Sequence, residues 1–200
     1  MKEAIVHLKR SDPVLGRIIE RVGAYRIEFR EPDFESLVRS IVYQQLSGRV
    51  ASVIFARVAK AAGPRLTPES ILKLRPSRMR ALGLSSQKTA YIRDLARHAR
   101  DGSVIFHELP ELPDEEVITR LTQVKGIGVW TVHMFLIFAL RRPNVLPTGD
   151  LGIRNAIQKA YGLNDLPKPA AIEEMAQKWH PYCTVASWYL WRSLEGGANL

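Results

Sequence analysis

Apolar residues recur at helical spacing along nearly the whole chain. Val14, Ile18 and Ile19 form a stripe in VLGRIIERVG, with Asp12-Pro13 as cap and first-turn proline and Gly23 as the stop. Asp33 precedes Phe34, Leu37, Val38 and Ile41, the opening of the long periodic stretch FESLVRSIVYQQLSGRVASVIFARVAKAAG. Its length predicts two helices, broken at QQLSG. Thr67-Pro68 opens ESILKLR, SSQKTAYIRDLARHARDG predicts a helix ended by Gly102, and Asp114 is placed as the cap of EEVITRLTQV. Gly149-Asp150 precedes LGIRNAIQKAYG, which Gly162 stops, and AAIEEMAQKW leads into PYCTVASWYLWRSLEG. The exception is RIEF at 26–29, short enough to pair briefly as a strand. Pro-rich joints at 110–113 and 143–147 predict turns between packed helices. The expected fold class is all-α.

Two hundred residues, 46% of them apolar, suffice for one substantial domain or two small lobes sharing a core. The apolar run VHMFLIFAL is too short to cross a membrane and is closed by Arg141-Arg142. The opening MKEAIVHLKRSDPVL lacks a signal-peptide core, so a cytoplasmic protein is expected, or a nuclear one in a eukaryote. A single cysteine, Cys183, excludes an internal disulfide framework, a four-cysteine zinc site and an iron–sulfur cluster. The charge balance, 29 Lys and Arg against 20 Asp and Glu, gives +9. That surplus fits a polyanion partner or a solvated basic surface equally well.

Two motifs carry candidate chemistry. In Val124-Lys125-Gly126-Ile127-Gly128, between two helical patterns, Gly126 can take the left-handed conformation that ends the first helix. Gly128 allows close approach to the backbone, and Ile127 anchors the turn in the core. N–H groups at the start of the second helix then form a seat for a phosphate oxygen, with Lys125 beside it. Carbonyls at the end of the first helix and in the turn, those of Thr122, Val124 and Ile127, are candidates to hold Na+ or K+. The plain alternative is a tight helix–helix turn. The second motif is Asp150, which reads as a helix N-cap whether or not it has a further task.

LTQVKGIGVWTV followed by LPTGDLGIRNA resembles the helix-hairpin-helix DNA glycosylase superfamily, whose signature is this hairpin with a downstream catalytic aspartate. FESLVRSIVYQQLSGRVA, RALGLSSQKTAYI, Trp130 and SWYLWR resemble its alkylbase branch, the 3-methyladenine DNA glycosylase II type, from about Asp33 to Trp191. The resemblance implies a two-lobed helical bundle with a cleft between the lobes. Lobe one spans about 34–145, with the helix-hairpin-helix at 114–140; lobe two is 1–33 plus 146–200. It implies Asp150 as the catalytic group and Trp130 and Trp191 as pocket aromatics, with Met134 and Tyr43 beside them. Gln45 and Leu46 are implied as the plug and wedge that fill the space of a flipped base. Lys125, Gly126, Ile127, Gly128 and Arg49 are candidates for DNA phosphates, as are Lys88 and Arg154. Trp188 and Tyr189 are assigned to the core and His133 to polar packing.

The implied reaction is hydrolysis of the N-glycosidic bond of alkylated purines, 3-methyladenine and 7-methylguanine, in duplex DNA. Losing the base builds positive charge on the sugar, and a fixed carboxylate stabilises it. Electron-rich rings suit a cationic base. Relatives that also cut the strand carry a lysine nucleophile where this chain has Trp130, so the expected enzyme is monofunctional, monomeric and independent of any redox cofactor or catalytic metal. A DNA-binding module without activity and a bifunctional glycosylase/lyase remain the alternatives.

Overall fold

The computed structural model describes residues 1–195; Gly196, at the end of the last periodic stretch, lies outside them. In chain order the helices are α1 (Lys2–Ser11), α2 (Pro13–Val22), α3 (Phe34–Tyr43), α4 (Gly48–Ala62), α5 (Pro68–Lys73) and α6 (Pro76–Ala81). There follow α7 (Ser86–Asp101), α8 (Asp114–Thr122), α9 (Val129–Phe138), α10 (Leu151–Tyr161), α11 (Pro169–Ala176) and α12 (Cys183–Glu195). No strand occurs among the described residues, and no helix there is long and apolar enough to cross a membrane.

Contacts divide the chain into two units. The first comprises Met1–Phe29 and the chain from Leu136 on. Its core joins Leu8, Leu15 and Ile19 with Ile153 and Ile157 of α10 and with Trp179 and Tyr189, both wholly buried. A buried carboxylate ties these elements together. Asp12, between α1 and α2, has no exposed surface. Its Oδ1 accepts the N–H groups of Val14 (3.0 Å) and Leu15 (3.1 Å). Its Oδ2 accepts the Tyr161 hydroxyl and the Trp179 indole N–H (2.8 Å), with the Lys178 ammonium at 3.2 Å. Burial pushes the Asp12 pKa up, but the Tyr161, Trp179, Leu15 and Lys178 donors outweigh it and hold the carboxyl below its ordinary value.

The second unit, Arg30–Phe135, is built around α7, which packs on α3, α5 and α6 through Ile92, Leu95 and Ala96. Asp33 caps α3 by accepting the Ser36 N–H at 2.9 Å. Thr67 and Ser70 form a reciprocal capping box on α5. The break in the long periodic stretch falls at 44–47, within the predicted QQLSG. The junction between the units runs through α9, between Phe135 and Leu136, rather than after it near 145.

Three local expectations need correction. RIEF is extended but unpaired: Tyr25 and Ile27 pack on the first unit's helical core while Arg26 and Glu28 face solvent. That arrangement has the alternation of a strand without a partner. Asp114 is the first residue inside α8, and Pro113 holds the cap position. Neither α1 nor the six-residue α6 was anticipated; α1 buries only Ala4 and Leu8, too little for a clear stripe.

Candidate functional site

In the first unit Asp150 is the N-cap of α10 and is nearly buried, at 9% exposed. Its Oδ1 accepts the Ile153 N–H (2.8 Å) and the Trp191 indole N–H (2.8 Å). The preceding turn is fixed as well, because the Asp150 N–H donates to the Pro147 carbonyl at 2.9 Å. Further back, the Thr184 hydroxyl donates to the Arg142 carbonyl (2.6 Å) and accepts the Val145 N–H (3.0 Å). Thus α12 holds the loop that delivers Asp150 through Thr184 and the carboxylate itself through Trp191. The side chain has little freedom left.

Trp191, expected as a pocket aromatic, is tied to the acid itself. Its N–H is engaged by Asp150 and its ring stacks on Phe138, with centroids 5.9 Å apart and planes 23° from parallel. It supports the acid directly. Sequence reasoning missed two neighbours, Phe138 and Gly152. A Cβ on Gly152 would lie 3.0 Å from Asp150 Oδ1 and 3.1 Å from the Trp191 ring, so only glycine leaves that pair undisturbed. Trp188 and Tyr189 lie in the core, packed edge-on at 4.9 Å. Arg154 is engaged at the Pro167 carbonyl (3.0 Å), a helix-to-loop tie where a phosphate contact was expected.

In the second unit the hairpin joins α8 to α9. Gly126 has φ +82°, and a Cβ there would fall 2.0 Å from the Tyr91 ring. Close approach thus happens at Gly126, from inside the protein. Gly128, where it was expected, has open space around it. Val124 and Ile127 are buried and anchor the turn. The phosphate seat is narrower than expected. The Lys125 N–H donates to Asp94 Oδ2 (3.0 Å) and the Ile127 N–H to the Val124 carbonyl (3.1 Å), which takes both away from an outside ligand. What faces outwards is the Lys125 side chain and the start of α9, the positive end of that helix's dipole.

The loop between α3 and α4 carries Gln45, exposed and at φ +55°, and Leu46, 38% exposed. A non-glycine residue in that region is uncommon and costs on the order of 1–3 kcal/mol. Leu46 is no core leucine. Val50 and Val53 continue its exposed apolar line along α4, and Arg49 stands exposed beside them. Lys88, placed among phosphate contacts from sequence, instead donates to the Val42 (2.7 Å) and Gln44 (2.6 Å) carbonyls at the end of α3. Burial lowers its pKa. Gln44 in turn donates to the Gly126 carbonyl at 2.9 Å. Gln44 and Asp94 carry no sequence signature for these roles; their partners lie 82 and 31 residues away.

Also in this unit, Trp130 is 47% exposed at the start of α9, next to an exposed Val129. Met134 and His133 are half-buried one turn on, and burial lowers the His133 pKa against the opposing pull of Asp114. Tyr43 is half-buried, with the Arg39 guanidinium 4.2 Å from its ring centroid. One face of that ring is therefore covered.

Residues 38–181 match the HhH-GPD superfamily of base excision DNA repair proteins. DNA-3-methyladenine glycosylase 1 of Schizosaccharomyces pombe is 37% identical over 200 residues, covering 96% of this chain and 87% of that protein. The solved structure of an S. pombe 3-methyladenine DNA glycosylase in complex with abasic DNA matches with a TM-score of 0.85, 37% identity and 95% coverage of each chain. A DNA-3-methyladenine glycosidase from Bacillus halodurans matches with a TM-score of 0.85 and 36% identity, over 94% of this chain and 88% of that one.

Proposed function

The chain belongs to the HhH-GPD superfamily of base excision DNA repair proteins, and on that footing we propose that it is a monofunctional glycosylase releasing alkylated purines from duplex DNA. The observation that carries this reading is Asp150, a carboxylate fixed at a helix N-terminus by the Ile153 N–H and the Trp191 indole. Such an arrangement holds a negative charge in place without reorganisation when positive charge develops on the deoxyribose. Because 3-methyladenine and 7-methylguanine are already cationic leaving groups, charge stabilisation and a positioned water suffice. No redox cofactor or catalytic metal is needed for that step.

The other candidate residues take separate roles in the same reaction. Lys125, Gly126, Gly128 and Arg49 hold phosphates, chiefly through the start of α9 and the two cationic side chains. Gln45 and Leu46 fill the gap left when the base leaves the stack. Trp130, with Met134 and Tyr43, supplies the aromatic and polarisable surface that grips it. The carbonyls of Thr122, Val124 and Ile127 suit Na+ or K+, since they are hard oxygen donors and a carbonyl that already accepts one N–H, as Val124 does, keeps a second lone pair. Replacing both ions with choline at constant ionic strength then weakens DNA binding. The enzyme acts as a monomer wherever chromosomal DNA resides.

The test is release of free base from methylated duplex DNA, resolved by chromatography. Asp150→Asn is expected to keep DNA affinity and to lose at least about 100-fold in base release. Wild-type protein that binds DNA and releases no methylated purine would establish a binding module instead. A covalent adduct trapped by borohydride would establish a lyase.

A further inference from the structure

One face of α7 reaches two elements that a base-flipping enzyme must keep in register. Lys88, Tyr91 and Asp94 follow one another at three-residue spacing, so they line one side of the helix. Lys88 closes the end of α3 through the Val42 and Gln44 carbonyls, immediately before Gln45 and Leu46. Tyr91 lies flat against Gly126, leaving no room for a Cβ. Asp94 takes the Lys125 N–H from behind the hairpin and is itself held by Arg97 at 2.9 Å. Gln44 closes the circuit by donating to the Gly126 carbonyl. A cavity of about 460 Å³ opens beside these residues, lined by Gln45, Leu46, Lys88, Tyr91 and Gly126 among others. The end of α3 and the hairpin are therefore both tied to this face of α7, and Gln44 ties them to each other.

We propose that Lys88, Gln44 and Asp94 are positioning residues that fix the Leu46 loop and the hairpin to a common face of α7, so that phosphate engagement and wedge insertion act as one rigid device. The inference rests on the wedge role given to Leu46 above. A loop attached only through its own backbone would let the wedge yield as the base leaves the stack. With the brace, the energy of gripping phosphates opposes that retreat, and Gln45 can be kept in its left-handed conformation. Lys88 in this account contributes no phosphate contact.

Three measurements decide it. Gln44→Ala and Lys88→Met should each lower the single-turnover rate about tenfold at saturating enzyme, the loss expected for one or two well-formed hydrogen bonds. Lys88→Arg should recover most of it. The slope of log affinity against log salt should stay at the wild-type value in Lys88→Met; a slope shallower by about 0.9 would make Lys88 a phosphate ligand and overturn the brace. In a Leu46→Ala background, Gln44→Ala should cost about twofold or less, because both changes disable the same device. Full additivity would overturn the coupling.

A readout without substrate separates failure of the brace from failure of the glycosylase reading. In the free protein, Lys88→Met should speed amide hydrogen exchange at 125–128 as well as at 44–47, although Lys88 bonds only near the latter. Unchanged hairpin exchange overturns the brace whatever the activity. If Leu46→Ala keeps the full rate, or the wild type releases no base, the wedge reading fails, and exchange alone then decides whether the two elements are coupled. Should Lys88→Met fail to fold, Asp94→Leu gives the reciprocal comparison: Asp94 bonds the Lys125 N–H of the hairpin, and its loss should speed exchange at 44–47, unchanged exchange there overturning the brace.

Discussion

In the proposed reaction Asp150 serves structure and chemistry through the same atoms. Its Oδ1 stops α10 from fraying by taking the Ile153 N–H, and the same oxygen takes the Trp191 indole. Trp191→Phe keeps an aromatic ring beside Phe138 but removes the indole N–H and part of the bicyclic ring. We expect about a tenfold lower single-turnover rate with a stability loss near 1 kcal/mol, read by quench-flow kinetics and by denaturant melts. Gly152→Ala adds a methyl 3.0 Å from the carboxylate oxygen. An alanine in a helix gains up to about 1 kcal/mol over glycine, so stability should hold while base release falls. A parallel loss of both would place Gly152 in packing alone. At this scale the sequence displayed the acid but not its keepers. The cap is local and readable from Asp150 and Leu151 onward, whereas Trp191 is 41 residues away and Phe138 precedes the loop.

Among elements, the hairpin separates two glycines that look alike in sequence. Gly126 needs both a positive φ and the space that Tyr91 occupies. Gly126→Ala should therefore destabilise the protein by at least about 2 kcal/mol, measured by chemical denaturation, and lower DNA affinity with it. Gly128 has ordinary φ and open surroundings, so Gly128→Ala should leave stability within about 0.5 kcal/mol and weaken binding of a duplex containing an abasic-site analogue. Equal effects at both positions would remove the phosphate seat from the start of α9. Helical periodicity located this element and the break at 44–47 correctly, because buried stripes such as Leu37, Val38 and Ile41 repeat within a few residues. It did not locate α6, which is one and a half turns long and buries Met79 alone. Sequence offered Lys88 only as a candidate phosphate contact, because nothing local reveals that its ammonium bonds carbonyls 44 and 46 residues earlier.

On the scale of the molecule, charge and burial govern stability in opposite ways. The surplus of nine positive charges favours DNA and disfavours compaction, so added salt should weaken DNA binding. Asp12 acts the other way. Removing it in Asp12→Ala leaves two backbone N–H groups, the Trp179 indole and the Tyr161 hydroxyl without their shared acceptor. A loss of about 3–5 kcal/mol is expected in denaturant titration. Its pKa is lower in the folded protein than its ordinary value of 3.8, so its contribution is complete above that range. It declines as pH falls from near 3.8 through the folded value. The acid limb of stability should be shallower in Asp12→Asn than in the wild type. Asp12 was legible as the cap of α2, and the all-α class as a whole was legible from periodicity. That the same carboxylate gathers side chains from positions 161, 178 and 179 belongs to tertiary structure and has no local trace.

Because asparagine closes a helix N-terminus about as well as aspartate, Asp150→Asn, the change expected to stop base release, should leave the protein's architecture standing. The two residues are one nucleotide apart in the genetic code. On the proposed reading, a lineage that loses the chemistry in this way would keep the fold and the hairpin. Homologues with an amide at this one position are expected to bind DNA and release no base.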